Sequence, residues 1–320
     1  MTQVQTEIDR LESAKQAIAS AIADKGVTVP SGTMLDGMAA LIESIEAGGG
    51  NPTVVIPDAV LNANSWEEIS AVSASGQAAN VWAVGDTKQV VINGKVGNTT
   101  FDNLSVWVFI LGFNHNSAME GNNTIHFQIG KTNQVSGIDI ALVDSKCGNS
   151  VSTTAGYFNM NYSQSTSGGW ESCTMRTTLL GNSNTATSPL SGSLIAALPS
   201  DLRAVMKSVT KYSNNVGTSD TVSAVTATTD YLWLLSEFEV FGTRKYGNSA
   251  EQNYQKQYTY YANGNSKVFY KHSDTSSKVY WFLRSASTTT SGMFLLVRST
   301  GAVSSSGANS SYGVAPSFCV

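Results

Sequence analysis

From Thr275 to Val320 the chain carries no Asp or Glu, and between Trp281 and Val320 fourteen positions are Ser or Thr. Apolar burial is what offsets chain entropy, and hydroxyl side chains in such number cannot supply it. They must be held out on a scaffold, framed by Trp281-Phe282-Leu283-Arg284-Ser285 at one end and Tyr312-Gly313-Val314-Ala315-Pro316-Ser317-Phe318-Cys319 at the other. Such a stretch is built for contact. The missing carboxylates also remove what a calcium site, a paired-acid hydrolase or a carboxylate base would need in that region.

The remaining composition agrees with a core large enough for two or more units: 320 residues, 41% hydrophobic, only 13% charged. A net charge of -4, with 19 Lys and Arg scattered along the chain, argues against nucleic acid, because no basic run can release counterions from phosphate. Cys147, Cys173 and Cys319 are an odd number at wide spacing; they fit neither a disulfide framework nor a zinc site and are expected to be buried thiols. The start, Met1 to Glu7, has no basic n-region or apolar h-region, so a secretory signal is not expected and the chain is expected to be made in a cytoplasm. The apolar runs Val106 to Leu111 and Tyr231 to Leu235 are too short for membrane insertion, which needs about 20 residues.

Hydrophobic spacing divides the chain into a helical segment at 1–47, a Gly/Pro linker at 48–57 containing Gly48-Gly49-Gly50-Asn51-Pro52, and an α+β region at 58–320. Val4, Ile8, Leu11, Lys15, Ile18 and Ile22 repeat at intervals of four and three, a heptad seam. Met38, Leu41, Ile42 and Ile45 mark a second short helix. On these residues alone the segment is either a packed helical hairpin or an oligomerising stalk. Farther on, Ser65-Trp66-Glu67-Glu68 predicts a capping box, and Asn93-Gly94 a two-residue hairpin turn. Ser105 to Phe113, Thr124 to Ile129, Ser208 to Tyr212, Val279 to Arg284, Phe294 to Arg298 and Tyr312 to Cys319 read as strands, with Ser299-Thr300-Gly301 as a turn. Helical character is expected at Trp170 to Leu180, at Leu190 to Met206 with a break near Pro199, and from a second capping box at Ser249-Ala250-Glu251-Gln252 to Tyr261. Glu237 and Glu239 are expected on one solvent-facing side of a strand ending the apolar stretch Asp230 to Phe241.

Chemical constellations are weak. His115, His126 and His272 are the only histidines and have no zincin spacing; His126 is expected as a hydrogen-bonded structural residue, His115 in a loop, and His272 near the distal surface. There is no nucleophile elbow, phosphate-binding glycine motif or catalytic cysteine pattern. An enzyme, with Glu237 or Glu239 as its carboxylate, is the least favoured class, and no metal or cofactor is expected. Tyr254, Tyr258, Tyr260, Tyr261, Tyr270 and Tyr280 suit either a recognition surface or one buried helical face.

Two resemblances add to this reading. The run Ile18 to Ile45, with Ala-Ile-Ala-Asp-Lys-Gly-Val-Thr-Val-Pro-Ser-Gly-Thr within it, resembles the leader of tail and baseplate-associated proteins of phages that infect Gram-positive bacteria. That likeness favours the stalk, implying a homotrimer through Val4, Ile8, Leu11, Ile18 and Ile22. Gly168-Gly169-Trp170-Glu171-Ser172-Cys173-Thr174-Met175-Arg176, Leu198-Pro199-Ser200-Asp201-Leu202-Arg203, Val209-Thr210-Lys211, Leu234 to Gly242, Leu283-Arg284-Ser285 and Tyr312 to Phe318 resemble a phage and Gram-positive bacterial domain of unassigned function. The likeness begins near Trp82, at Trp82 to Lys88 and Ile125 to Lys131.

That domain is commonly placed with C-type-lectin-like folds, here at about 160–320, as are the variable proteins of diversity-generating retroelements. The resemblance implies a receptor-binding protein at a phage tail tip or fibre, attaching the virion to a protein or glycan of the bacterial surface and docking to other tail proteins. The alternative is a structural tail or baseplate component. On this scaffold Phe282, Phe294, Val297 and Val314 would be frames, and Ser287, Thr288, Thr289, Thr290, Met293, Leu295, Leu296, Arg298, Ser304, Ser305 and Ser306 the ligand-contacting positions. Strict alternation leaves one of Leu295 and Leu296 exposed. The carboxylate-rich loop of calcium-dependent sugar lectins is absent, so their calcium site is not implied.

Overall fold

The structure is a computed structural model that describes residues 3–45, 57–134, 137–151 and 154–320. The chain divides into two compact units, Met1–Ile56 and Pro57–Val320. Residues 48–56 of the expected linker lie outside the described residues. Among the described residues no helix is long and apolar enough to cross a membrane.

The first unit is a pair of helices, α1 (Gln3–Ala23) and α2 (Leu35–Glu43). Ile22, Val27, Met38 and Leu41 form its small core, with Ile18, Ala19, Val29 and Ile45 packed against it. The heptad seam is thereby split. Its C-terminal part, Ile18 and Ile22, is used within the chain, because Gly26, at φ +87°, ends α1 and lets the chain return. Val4, Ile8 and Leu11 stay exposed at 70%, 48% and 52%. The expectation that all five seam positions serve oligomerisation is corrected for those two isoleucines.

The second unit is α+β. Its helices are α3 (Trp66–Ala74), α4 (Ala78–Val81), α5 (Ser117–Glu120), α6 (Gly169–Ser172), α7 (Leu194–Ala197), α8 (Ser200–Val205), α9 (Glu237–Phe241) and α10 (Thr259–Ala262). Its strands are β1 (Thr87–Val96), β2 (Thr99–Phe113), β3 (Ile125–Lys131), β4 (Ile140–Ala141), β5 (Val209–Asn214), β6 (Val225–Asp230), β7 (Phe269–Lys271), β8 (Asp274–Val279), β9 (Trp281–Ala286), β10 (Met293–Val297), β11 (Val303–Gly307) and β12 (Ser317–Cys319).

An antiparallel sheet in the order β1-β2-β3-β12 carries the main core. The apolar β2 is interior to it, as its composition requires. Helix α3, capped by Ser65 and Glu68 in the expected reciprocal box, lays Trp66 edge-on against Phe127 of β3 and Phe318 of β12 (5.5 and 5.8 Å between ring centres). The C-terminal strand is thus a structural member of the sheet. A separate sheet in the order β11-β10-β9 presents the hydroxyl-rich region, and β4-β7-β8 and β5-β6 complete the fold.

Six local expectations change. The strand expected over Tyr312 to Cys319 is confined to β12 (Ser317–Cys319), and the one expected over Val279 to Arg284 divides at Tyr280 between β8 and β9. Asn93-Gly94 is a bulge inside β1, where the register shifts between Ile92 and Gly94. The chain reverses instead at Gly97-Asn98, because outside carbonyls hold that turn: Gly97 N–H donates to Gly192 O (2.9 Å) and Asn98 N–H to Gly156 O (2.7 Å). Glu237 and Glu239 lie on a buried helical turn, not on an exposed strand, since Ser236 and Glu239 form a capping box. The Ser249 to Tyr261 helix is two separate pieces, a 3₁₀ turn at Ser249–Asn253 capped by Asn248 and α10. Leu295 and Leu296 are both buried, because β10 is the middle strand of its sheet and is covered on both faces.

Gly97, at φ +54°, has no room for a side chain, since a Cβ would run into the Gly156 carbonyl. Gly97→Ala is expected to cost about 2–4 kcal/mol. Gly264→Ala, at φ +84° in open space, should cost about 1 kcal/mol from backbone strain alone. Urea denaturation of both variants checks the difference.

Candidate functional site

The charged groups gather inside the second unit, and the carboxylate-free surface lies outside them. Arg284 projects from β9 and is fully buried. Its guanidinium grips Glu239 of α9 through both carboxylate oxygens, and it also bonds Ser213 Oγ (2.8 Å) and Leu234 O (2.9 Å). Lys211 of β5 joins the same carboxylate at 3.2 Å and Glu120 at 2.5 Å, and lies over the Trp233 ring at 4.3 Å. Two cations thus meet two anions, a neutral cluster away from water.

Tyr258 closes this cluster. Its hydroxyl accepts from Lys211 Nζ (3.1 Å) and hydrogen-bonds His126 Nδ1 (2.9 Å). His115 stacks on the Tyr258 ring at 3.7 Å between centres. Burial, with Lys211 beside it, pushes His115 down to about 3, and burial first and then Lys211 hold His126 well below its usual range. Burial raises Glu120, whereas the two cations overcome burial at Glu239 and hold it well below the carboxylate range.

His115, Glu120 and Glu239 bring ligand-type atoms within 4.8 Å of one another. The Lys211 ammonium already touches both carboxylates, and the four charges cancel. A divalent ion would have to displace that ammonium. These residues fit an ionic strut better than a metal centre.

The strut fixes the contact region. Arg284 N–H donates to Leu235 O (2.9 Å), tying β9 to the segment before α9. Beside it, the Glu237 carboxylate accepts from the backbone N–H groups of Lys245 (2.9 Å), Tyr246 (3.2 Å) and Gly247 (2.8 Å). Thr288 rests on that loop through its N–H and Oγ1 to Tyr246 O (2.9 and 3.0 Å). Glu251 accepts from Asn214 N–H (2.8 Å) and Ser285 Oγ (2.9 Å), and burial raises it to about 7. Next to this cluster, on the neighbouring strand, Asp230 receives Trp170 Nε1 (2.9 Å), Arg176 Nε (2.6 Å) and Thr228 Oγ1 (2.9 Å), the last of which also lies 3.2 Å from Lys211 O; this explains the Trp and the Arg of the motif Gly168 to Arg176.

The eleven contact positions separate on this frame. Thr289, Thr290 and Arg298 are exposed; Thr288, Met293, Ser304, Ser305 and Ser306 are half-buried. Ser287, Leu295 and Leu296 are buried and cannot touch a partner. Ser287 folds the loop from within, its Oγ accepting from Thr289 N–H (3.3 Å) and Thr290 N–H (3.2 Å). The sequence reading missed Tyr312, which stacks on Tyr280 at 5.7 Å and receives Ser306 Oγ at 3.4 Å. Both rings are half-buried. Tyr258, Tyr260 and Tyr261 are core residues. Cys173 and Cys319 are buried and pushed up to about 12; the part-exposed Cys147 is pushed to about 11. A shallow depression of about 380 Å³ lies elsewhere, between Leu61, Asp86, Thr87 and Gln134.

Removing one partner of the buried pair, as in Arg284→Met or Glu239→Gln, is expected to cost about 3–5 kcal/mol, and the double variant less than the sum. Urea denaturation of the three variants measures this. Below about pH 6.5 the unfolded chain binds protons at His115 and His126 that the folded chain refuses, so their contribution to stability is lost on acidification. Glu251, raised to about 7, and Glu120, also raised, oppose this, because the folded chain takes up their protons first. His126→Gln removes one of the refused protons, so on going from pH 7 to pH 5 its urea midpoint should shift upward relative to that of the parent chain.

No curated protein and no solved structure matches the chain. Residues 148–320, more than half of its length, match the family described as Domain of unknown function (DUF6273), and the chain belongs to that family.

Proposed function

We propose that this protein is a non-enzymatic receptor-binding protein of a phage tail, which attaches the virion to a bacterial surface ligand through a C-type-lectin-like distal domain. One observation carries the reading. Buried charges are neutralised as a strut, while Thr289, Thr290, Arg298 and the half-buried Ser304 to Ser306 are turned outward on a sheet anchored by that strut. A side chain with no water or substrate access performs no acid or base chemistry. Exposed hydroxyls with few rotamers suit recognition at low entropy cost.

The exposed Val4, Ile8 and Leu11 support a short coiled coil, and hence several heads on one stalk. Linked heads convert weak single contacts into firm attachment. Trimer formation rests on the leader resemblance. With Ile18 and Ile22 committed to α2, the self-association seam is confined to the first three positions.

The test is labelling of cells of the strain that the phage infects. The full chain is expected to label them and to compete with phage adsorption. Thr289→Asp with Thr290→Asp should weaken labelling at least tenfold without shifting the melting temperature. Ile8→Asp with Leu11→Asp should lower avidity through loss of the oligomer seen by sedimentation. No labelling and no competition would sink the adhesin reading. Antibody to the last forty residues that fails to bind intact virions would favour the structural tail component.

A further inference from the structure

Strand β11 is the outer strand of the β11-β10-β9 sheet. Arg298 N–H donates to Ala302 O (2.8 Å) before it and Ala308 N–H to Gly292 O (2.9 Å) after it. The register between them, Val297↔Val303 to Met293↔Gly307, runs without a shift. Hydrogen-bonded and non-bonded pairs alternate in an antiparallel ladder. Ser304 and Ser306 therefore bond β10, and Val303 and Ser305 direct their N–H and C=O groups away from the sheet. Among the described residues those outward groups have no hydrogen-bond partner in the chain.

Sheet edges of this kind are ordinarily blunted by Lys, Pro or a bulge. β11 has none of them, and no charged residue occurs from Ser299 to Val320. On the face shared by Ser304 and Ser306, Tyr312 and Tyr280 offer half-exposed rings. An array of N–H and C=O groups at strand spacing complements a polypeptide backbone, and side chains of an added strand would alternate over the flanking faces.

We propose that the free edge of β11 takes an extended, uncharged segment of a partner protein as an added strand. The inference rests on the adhesin reading and names its ligand as polypeptide. Val303 and Ser305 supply the main-chain donors and acceptors; the strand itself carries no charge, and the cation at its start, the exposed Arg298 opposite Ala302, leaves no partner along the edge for Lys, Arg, Asp or Glu side chains of an added segment.

The probe is an end-blocked heptapeptide of alternating valine and threonine, titrated into the full chain while amide exchange is read residue by residue. In the free chain the amides of Val303 and Ser305 are expected to exchange fast, and those of Ser304 and Ser306 slowly. The peptide should slow the first pair at least tenfold, and a peptide methylated on alternate backbone nitrogens should not. Ser305→Pro removes an outward N–H, and with it only the long Ser305 Oγ to Met293 Sδ contact (3.5 Å), and should weaken peptide binding at least tenfold with little change in melting temperature. Ser305→Lys keeps the donor, adds an edge charge, and should weaken binding as well, which covers a failure of the proline variant to fold. Val303 and Ser305 amides already slow in the free chain would overturn the proposal. So would absence of an effect at millimolar peptide, equal binding by the folded variants, protection by protein-free cell-wall polysaccharide instead, or self-pairing of the chain that Ser305→Lys abolishes. Cell labelling that survives Ser305→Pro would remove the edge and leave adhesion standing; peptide binding without cell labelling would do the reverse.

Discussion

The two-pronged pairing of Arg284 with Glu239 is the constraint on which the contact region depends. It joins β9, the first strand of the hydroxyl-bearing sheet, to α9, and through Lys211 it extends to β5 and α5. An isolated buried charge is so costly that each member of the cluster requires the others. The outcome is a polar core with few alternative arrangements. Above it the loop around Ser287 to Thr290 rests on backbone held by Glu237, so a segment composed largely of small hydroxyl residues has a defined shape without a core of its own.

This separation of roles accounts for the composition. Acidic residues are absent from the last 46 positions of the chain, Thr275 to Val320, yet carboxylates earlier in sequence stabilise that region, Glu237, Glu239 and Glu251 around β9 and Asp144 at the Ser311 hydroxyl. The C-terminal residues themselves divide. Phe318 and Cys319 are in the main sheet against Trp66 and β3, whereas residues 288–291 and β11 lie toward the surface. Substitution in the second group touches few buried atoms. In the first it would open the core.

Much of the architecture was legible in residue patterns. The Ser65 to Glu68 box, the central apolar strand β2, the break at Pro199 and the turn at Ser299 to Gly301 follow from local chemistry that no distant partner contradicts. Asn93-Gly94 had the better turn residues, but Gly97-Asn98 had carbonyls from Gly192 and Gly156 waiting for its N–H groups. Alternation at Glu237 to Val240 imitated a strand, though Ser236 three residues before Glu239 was the same capping signal already recognised at Ser65. Arg284 stood in a framing motif with nothing local to reveal its partner, since Glu239 lies 45 residues away. Burial of both Leu295 and Leu296 depends on what covers the two faces of β10, which alternation along one strand cannot report.

The most direct measurement is hydrogen–deuterium exchange of the full chain with and without a cell-envelope preparation from the strain that the phage infects. The account predicts slowed exchange across residues 288–291 and 298–306, and no change at Lys211, Glu239 or Tyr258. Slowing confined to the buried cluster, with those outer residues unaffected, would contradict it.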